Sequence, residues 1–80
     1  ERFRRVYSKL TDKDADRVDT AIRRLAADPR YPGLRVKKIQ GADHIWEARA
    51  SRSLRLTFEI HSDLILLRNV GSHDETLNNP

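Results

Sequence analysis

Four residues in the second half of the chain have side chains suited to chemistry on a phosphodiester: Glu47, Arg49, Arg55 and His73. Planar guanidinium forks match the oxygens of a phosphate and stabilise charge that develops on it. An imidazole can take up or release a proton near neutral pH. RNA cleavage needs little more, because the RNA supplies its own nucleophile, the 2′-hydroxyl. The structural alternative is a solvated ladder in which Glu47 pairs with Arg49 and His73 is a surface residue of a frayed tail. The choice depends on whether the fold brings the four together.

The elements that would position them follow from periodicity. Leu54, Leu56, Phe58 and Ile60 alternate with Arg55, Thr57 and Glu59, the period-2 pattern of a strand with one buried and one wet face. Strands are expected over about 34–39, 44–50, 54–60 and 64–70, the last three forming a meander. Trp46 and Ala48 share the core-facing parity of the preceding strand, and Trp46 reads as a core anchor. With the hairpin loop at about 51–53, Arg49 falls opposite Arg55. Like charges directly across a ladder are destabilising unless an anion or a carboxylate lies between them, and Glu47 is the obvious neighbour. Continuing the pairing puts Asn69 beside Arg55, with Gly71 and His73 on the same side beyond the strand end. His44, on the core-facing parity, and His61, at a turn, read as structural or merely exposed, and three histidines so scattered do not suggest a metal site.

Upstream, Phe3, Val6, Tyr7 and Leu10 recur at i, i+3, i+4 and i+7, giving one apolar stripe on a short helix. Thr11 with Asp14 reads as a capping-box variant. Asp12, Asp14 and Asp16 suit the positive end of the dipole of a second helix, whose core positions are Ala15, Val18, Ile22 and Leu25. That helix should stop near Asp28, because Pro29 disfavours helical geometry in the residue before it. Tyr31-Pro32-Gly33 is a turn. The fold class expected is α+β, an N-terminal helical hairpin packed on an antiparallel sheet of three to four strands.

Eighty residues form one domain, 1–80, with a core barely large enough to fold unaided. There is no cysteine to supply a disulfide or a zinc thiolate. No apolar run suggests a signal peptide or a membrane span, so a cytoplasmic location is expected. Sixteen Lys and Arg against twelve Asp and Glu give a net charge of +4, with a pI near 10.0. The excess is concentrated in residues 1–40, which hold 12 basic and 6 acidic side chains against 4 and 6 in residues 41–80. A basic half of this kind fits an anionic partner and also fits a helix surface made soluble by charge. Nucleotide-binding glycine loops, nucleophile elbows and paired-carboxylate motifs are absent from the sequence.

Over nearly its whole length the chain resembles the RelE/ParE toxin superfamily. The resemblance is carried by AADPRYPGLRVKKIQG, IWEARASRSLRLTFEI and LILLRNVGSHDETL, in that order and spacing. It implies a toxin of a type II toxin-antitoxin system, a ribosome-dependent messenger-RNA endonuclease that inhibits translation and is neutralised by a cognate antitoxin. The implied cleavage needs no metal or cofactor. Arg55 matches the middle-strand arginine that contacts the scissile phosphate, and Arg49 a basic residue on the strand before it. His73 falls where relatives place a basic residue after a Val-Gly element and would act as general acid or base, with Glu47 a possible base. Arg35, Lys37 and Lys38 would hold RNA backbone, with Asn69 contacting RNA beside Arg55. The partners implied are the antitoxin and messenger RNA in the ribosomal A site, with a homodimer or hetero-oligomer also open.

The chain departs from the pattern at three places. Glu47 stands where the best-known relatives carry a lysine. Glu1-Arg2-Phe3 reads as helix where the family opens with an edge strand, so that strand is expected to be missing. The Asn78-Asn79-Pro80 tail is expected to lack the terminal helix of many relatives. Related ParE-like toxins share the fold but poison DNA gyrase by binding, and a catalytically decayed antitoxin-binding module is the remaining alternative.

Overall fold

The computed structural model describes residues 2–80. Two helices come first, α1 (Arg2–Tyr7) and α2 (Asp12–Ala27). Thr11 caps α2, its hydroxyl accepting the backbone N–H of Asp14 at 3.1 Å, and Asp12 and Asp14 lie in the first turn, where the helix dipole favours negative charge. The helix ends at Asp28 in extended geometry, as the residue before a proline should. Its buried stripe is Val18, Ala21 and Leu25; Ala15 and Ile22 are half-buried at the margins.

A 3-10 turn, Pro32–Leu34, follows, and then four strands: β1 (Lys37–Lys38), β2 (Ile45–Arg49), β3 (Arg55–His61) and β4 (Leu64–Gly71). They pair antiparallel in the order β1-β2-β3-β4. Strand β1 is shorter than the segment 34–39 expected. Pro32 starts the turn, and Arg35 ends it in the left-handed region at φ 48, so the chain becomes extended only beyond that point. Among the described residues no strand precedes α1, and β4 is one edge of the sheet.

The core lies between the helices and one sheet face. Val18, Ala21 and Leu25 of α2 meet Leu34, Ala48, Leu54, Leu56, Phe58 and Val70, and Phe3, Val6, Tyr7 and Trp46 pack around this centre half-buried. Leu25, Leu56 and Phe58 are essentially inaccessible, each contributing roughly 1.5–3 kcal/mol by burial. The Tyr7 hydroxyl donates to Asp19 at 2.7 Å and so ties α1 to α2.

The opposite face is less wet than strict alternation predicts. The chain ends in a third helix, α3 (His73–Asn78), where a helix-free tail was expected. Ser72 begins it with a reciprocal capping box: its hydroxyl accepts the Glu75 N–H, and Glu75 Oε1 accepts the Ser72 N–H. A Cβ on Gly71 would stand 2.9 Å from Glu75 Oε1, so a side chain there would displace the carboxylate that closes the capping box. Together α3 and the segment after it cover Glu47, Thr57 and Asn69, which are 3%, 0% and 5% exposed. The Thr57 hydroxyl and the Arg68 guanidinium both donate to the Pro80 carbonyl. Ile60, at the far end of β3, is 37% exposed although it was expected in the core.

Candidate functional site

Register places the candidate residues in two rows across the sheet. Lys37, Glu47, Thr57 and Asn69 form one row and Arg49, Arg55 and Gly71 the next. Arg49 is opposite Arg55, as the alternation predicts. Gly71, and not Asn69, faces Arg55: the hairpin pairs His61 with Leu64, and a bulge that leaves Arg68 without a cross-strand partner shifts the register by one residue more between Thr57 and Phe58. Asn69 is turned to structural use: its Nδ2 donates to the Asn79 carbonyl at 2.8 Å and its Oδ1 accepts the Val70 N–H. It contributes no exposed amide beside Arg55.

Arg35, Lys37, Glu47, Arg49 and Arg55 line a cleft of about 320 Å³. Arg35 reaches it from the left-handed residue that ends the 3-10 turn, a conformation uncommon for residues other than glycine and often found at functional positions. Lys38 is not brought there. It pairs with Trp46, one residue out of phase with the Lys37–Glu47 pair, and so belongs to the opposite sheet face.

Arg49 and Arg55 are held by the hairpin between them. Arg49 Nε donates to the Ser51 carbonyl at 3.3 Å, and Arg55 Nη1 donates to the same carbonyl at 2.9 Å and to the carbonyls of Arg52 and Leu54. The loop conformation that supplies these acceptors is set by Ser51, whose hydroxyl accepts the N–H groups of Ser53 and Leu54. Among the described residues neither arginine has a carboxylate within ion-pair distance. Glu47 therefore does not neutralise the pair as the sequence suggested.

Glu47 instead faces Lys37 and His73. Its Oε1 lies 3.8 Å from Lys37 Nζ. Its Oε2 lies 3.5 Å from His73 Nδ1 and is buried without a hydrogen-bond partner. His73 opens α3, and its side chain is about half exposed. The structure thus brings Glu47, Arg49, Arg55, Arg35, Lys37 and His73 to one end of one sheet face and leaves Lys38 and Asn69 out. The position of His73 had a legible signal, the Ser72-x-x-Glu75 capping box that starts its helix.

The other histidines lie elsewhere. His44 is exposed in a left-handed turn at φ 65, not at the start of a core-facing strand. His61 contacts Glu59 at 2.7 Å, and Glu59 also pairs with Arg68. The hydrogen bond from His61, and then that from Arg68, holds the Glu59 carboxyl below the usual carboxylate range. Among the described residues no group of three or more His, Asp or Glu side chains is placed to hold a metal ion, and no helix is long and apolar enough to cross a membrane.

Fold and site define a small α+β protein with a cationic cleft at one end of its sheet. A chain of the RelB-RelE antitoxin-toxin complex from Methanococcus jannaschii has the same fold: the two superpose with a TM-score of 0.74 over 98% of this chain and 93% of that one, at 19% sequence identity. No family model matches the sequence, and no curated protein does.

Proposed function

We propose that the protein is the toxin of a toxin-antitoxin pair, an endoribonuclease that cuts messenger RNA in the ribosomal A site and is neutralised by a cognate antitoxin protein. The observation that carries this reading is the cleft in which Arg49 and Arg55 lie without carboxylate partners, with the Glu47–His73 contact beside it. Unpaired guanidiniums across one ladder rung suit a group with two or more anionic oxygens.

In the reaction, the 2′-oxygen of one nucleotide attacks the adjacent phosphorus and the bond from phosphorus to the 5′-oxygen breaks. A 2′,3′-cyclic phosphate and a free 5′-hydroxyl result. Arg49 and Arg55 stabilise the charge on the phosphoryl oxygens. One proton leaves the 2′-hydroxyl and one reaches the departing 5′-oxygen. The exposed imidazole of His73 is the group best placed to move a proton. Glu47 lies on its Nδ1 side, 3.5 Å away, and leaves Nε2 to exchange protons with the RNA. Glu47 remains the only carboxylate among the cleft residues and the alternative base. Arg35 and Lys37 hold flanking backbone. With the nucleophile in the substrate, this route calls for no metal or cofactor, and its setting is the cytoplasm, where ribosomes translate.

The antitoxin is expected to be an acidic, amphipathic segment. Leu64 and Leu66 are exposed on one face of β4 at its far end, paired with His61 and Glu59 of β3, an apolar pair such a segment could cover. The test is to add purified protein to ribosomes translating a defined message and to map cleavage by primer extension, comparing wild type with Arg55→Ala and His73→Ala. Cleavage within A-site codons that both substitutions abolish is the expected result. An intact message with correctly folded protein would overturn the reading and direct attention to gyrase inhibition or antitoxin binding alone.

A further inference from the structure

Arg49 also lines a second cleft, on the other side of β2. This one lies between α2 and the β2–β3 hairpin and has a volume of about 350 Å³. Arg17 and Arg24 reach it from α2, seven residues apart and therefore on one helix face, and Arg52 reaches it from the hairpin. Its floor is closed by core residues, with Ala21 and Leu34 only 3% and 2% exposed.

The charge here is largely uncompensated. Of the four arginines, only Arg17 has a carboxylate within ion-pair distance among the described residues, that of Asp14 at 3.8 Å on its own helix. Asp16 lines the cleft but pairs with none of them. The Arg24 guanidinium lies 4.7 Å above the ring of Tyr31, which restricts its motion while leaving its N–H groups free to donate.

We propose that this second cleft is a phosphate subsite for the RNA strand, continuing the path that begins between Arg49 and Arg55; the proposal rests on the nuclease reading. Arg49 belongs to both clefts, so a backbone passing from one to the other stays in contact with guanidinium throughout. The chemistry favours nucleic acid over an acidic peptide. An amphipathic peptide needs apolar anchors, and none of the exposed large apolar side chains, Tyr31, Ile60, Leu64, Leu66 and Leu77, lines the cleft. A phosphate backbone needs only donors and positive charge.

The test is fluorescence anisotropy with uncleavable 2′-O-methyl RNA, a trinucleotide against a longer strand, on wild type and the Arg24→Gln/Arg52→Gln double variant. The variant is expected to bind the longer strand about tenfold more weakly and to flatten the dependence of log Kd on log salt by roughly 1.4, two contacts at about 0.7 each. Trinucleotide affinity should stay unchanged. Arg52→Gln alone, at an exposed hairpin position, gives about half the change in slope and serves as the test if the double variant melts early. Equal loss for both lengths, or no loss for the longer strand, overturns the subsite. Retained RNA binding with lost binding of a polyglutamate probe also overturns it, assigning the cleft to a protein partner. Length-dependent binding without cleavage of a ribosome-bound message would refute the nuclease while leaving the subsite standing.

Discussion

His73 Nδ1 stands 3.5 Å from Glu47 Oε2, an oxygen buried without any hydrogen-bond partner. A carboxylate oxygen in that position costs stability, because burial removes its hydration and nothing fully replaces it. Glu47→Gln should therefore leave the melting temperature unchanged or raise it, within about 1 kcal/mol, while slowing cleavage. A loss of several kcal/mol on thermal melting would show the carboxylate to be structural.

Replacing His73 is expected to lower single-turnover cleavage by roughly 10²–10⁴-fold, the usual range for a general acid or base. His73 is half exposed and lies outside the core, so the fold should survive, as circular dichroism would report. Undiminished cleavage by His73→Ala would move the proton-transfer role to Glu47 or to the RNA itself.

Arg55→Lys should fail to rescue Arg55→Ala. Lysine keeps the charge but presents no planar fork, and the three hairpin carbonyls that hold Arg55 Nη1 match a guanidinium. Both variants should cut cleavage by about 10²–10³-fold and loosen the hairpin by about 1 kcal/mol. Lysine activity near wild type would reduce Arg55 to a point charge.

Acid stability should depend on Glu59 and Glu75. The Glu75 carboxyl is held below its ordinary range by the Ser72 backbone N–H, and that of Glu59 by His61 and then Arg68. A folded-state pKa below the unfolded value gives a contribution that is fully present above the unfolded value, about 4.3, and is lost as pH falls through the folded one. Glu75→Gln should flatten the fall in melting temperature across that window and leave melting less pH-dependent. Ser72→Ala should remove the cap at a cost of about 1 kcal/mol. An unaltered acid limb in Glu75→Gln would show that the capping box does not form in solution.

Phe58→Ala should cost roughly 3–5 kcal/mol, because Phe58 is wholly buried at the centre of the core. In so small a domain that is a large share of the total stability, so urea denaturation should show the variant mostly unfolded. A midpoint near wild type would mean that the core lies elsewhere.

Much of this fold was legible because a few residues state their geometry directly. Thr11 and Pro29 bracket α2, and the alternation from Leu54 to Phe58 fixes the core face. The Arg49–Arg55 pair was readable because a short loop at 51–53 leaves little freedom of register. What was not legible has two physical causes. Asn69 misses Arg55 because the β3–β4 pairing runs from His61 and Leu64 and the bulge at Arg68 then adds one residue more. Burial on the polar sheet face comes from α3, so alternation alone could not show that Glu47, Thr57 and Asn69 lose their solvent. Ser72 and Glu75 carried the signal for that helix. Arg17, Arg24 and Arg52 looked like solubilising charge in the sequence, and only the packing of α2 beside the hairpin gathers them.

The Arg68 bulge gives β4 two segments that can drift independently under mutation. Leu67 and Val70 face the core on either side of it, opposite Phe58 and Leu56, and their parity would be the same with Arg68 deleted. Loss of one residue at this point is therefore neutral in register, whereas loss of a paired residue elsewhere in the strand would turn the segment beyond it inside out. Homologous chains should show their length variation in β4 here, with Asn69 and Gly71 inherited as a block with α3 and the apolar segment before the bulge free to diversify toward different partners.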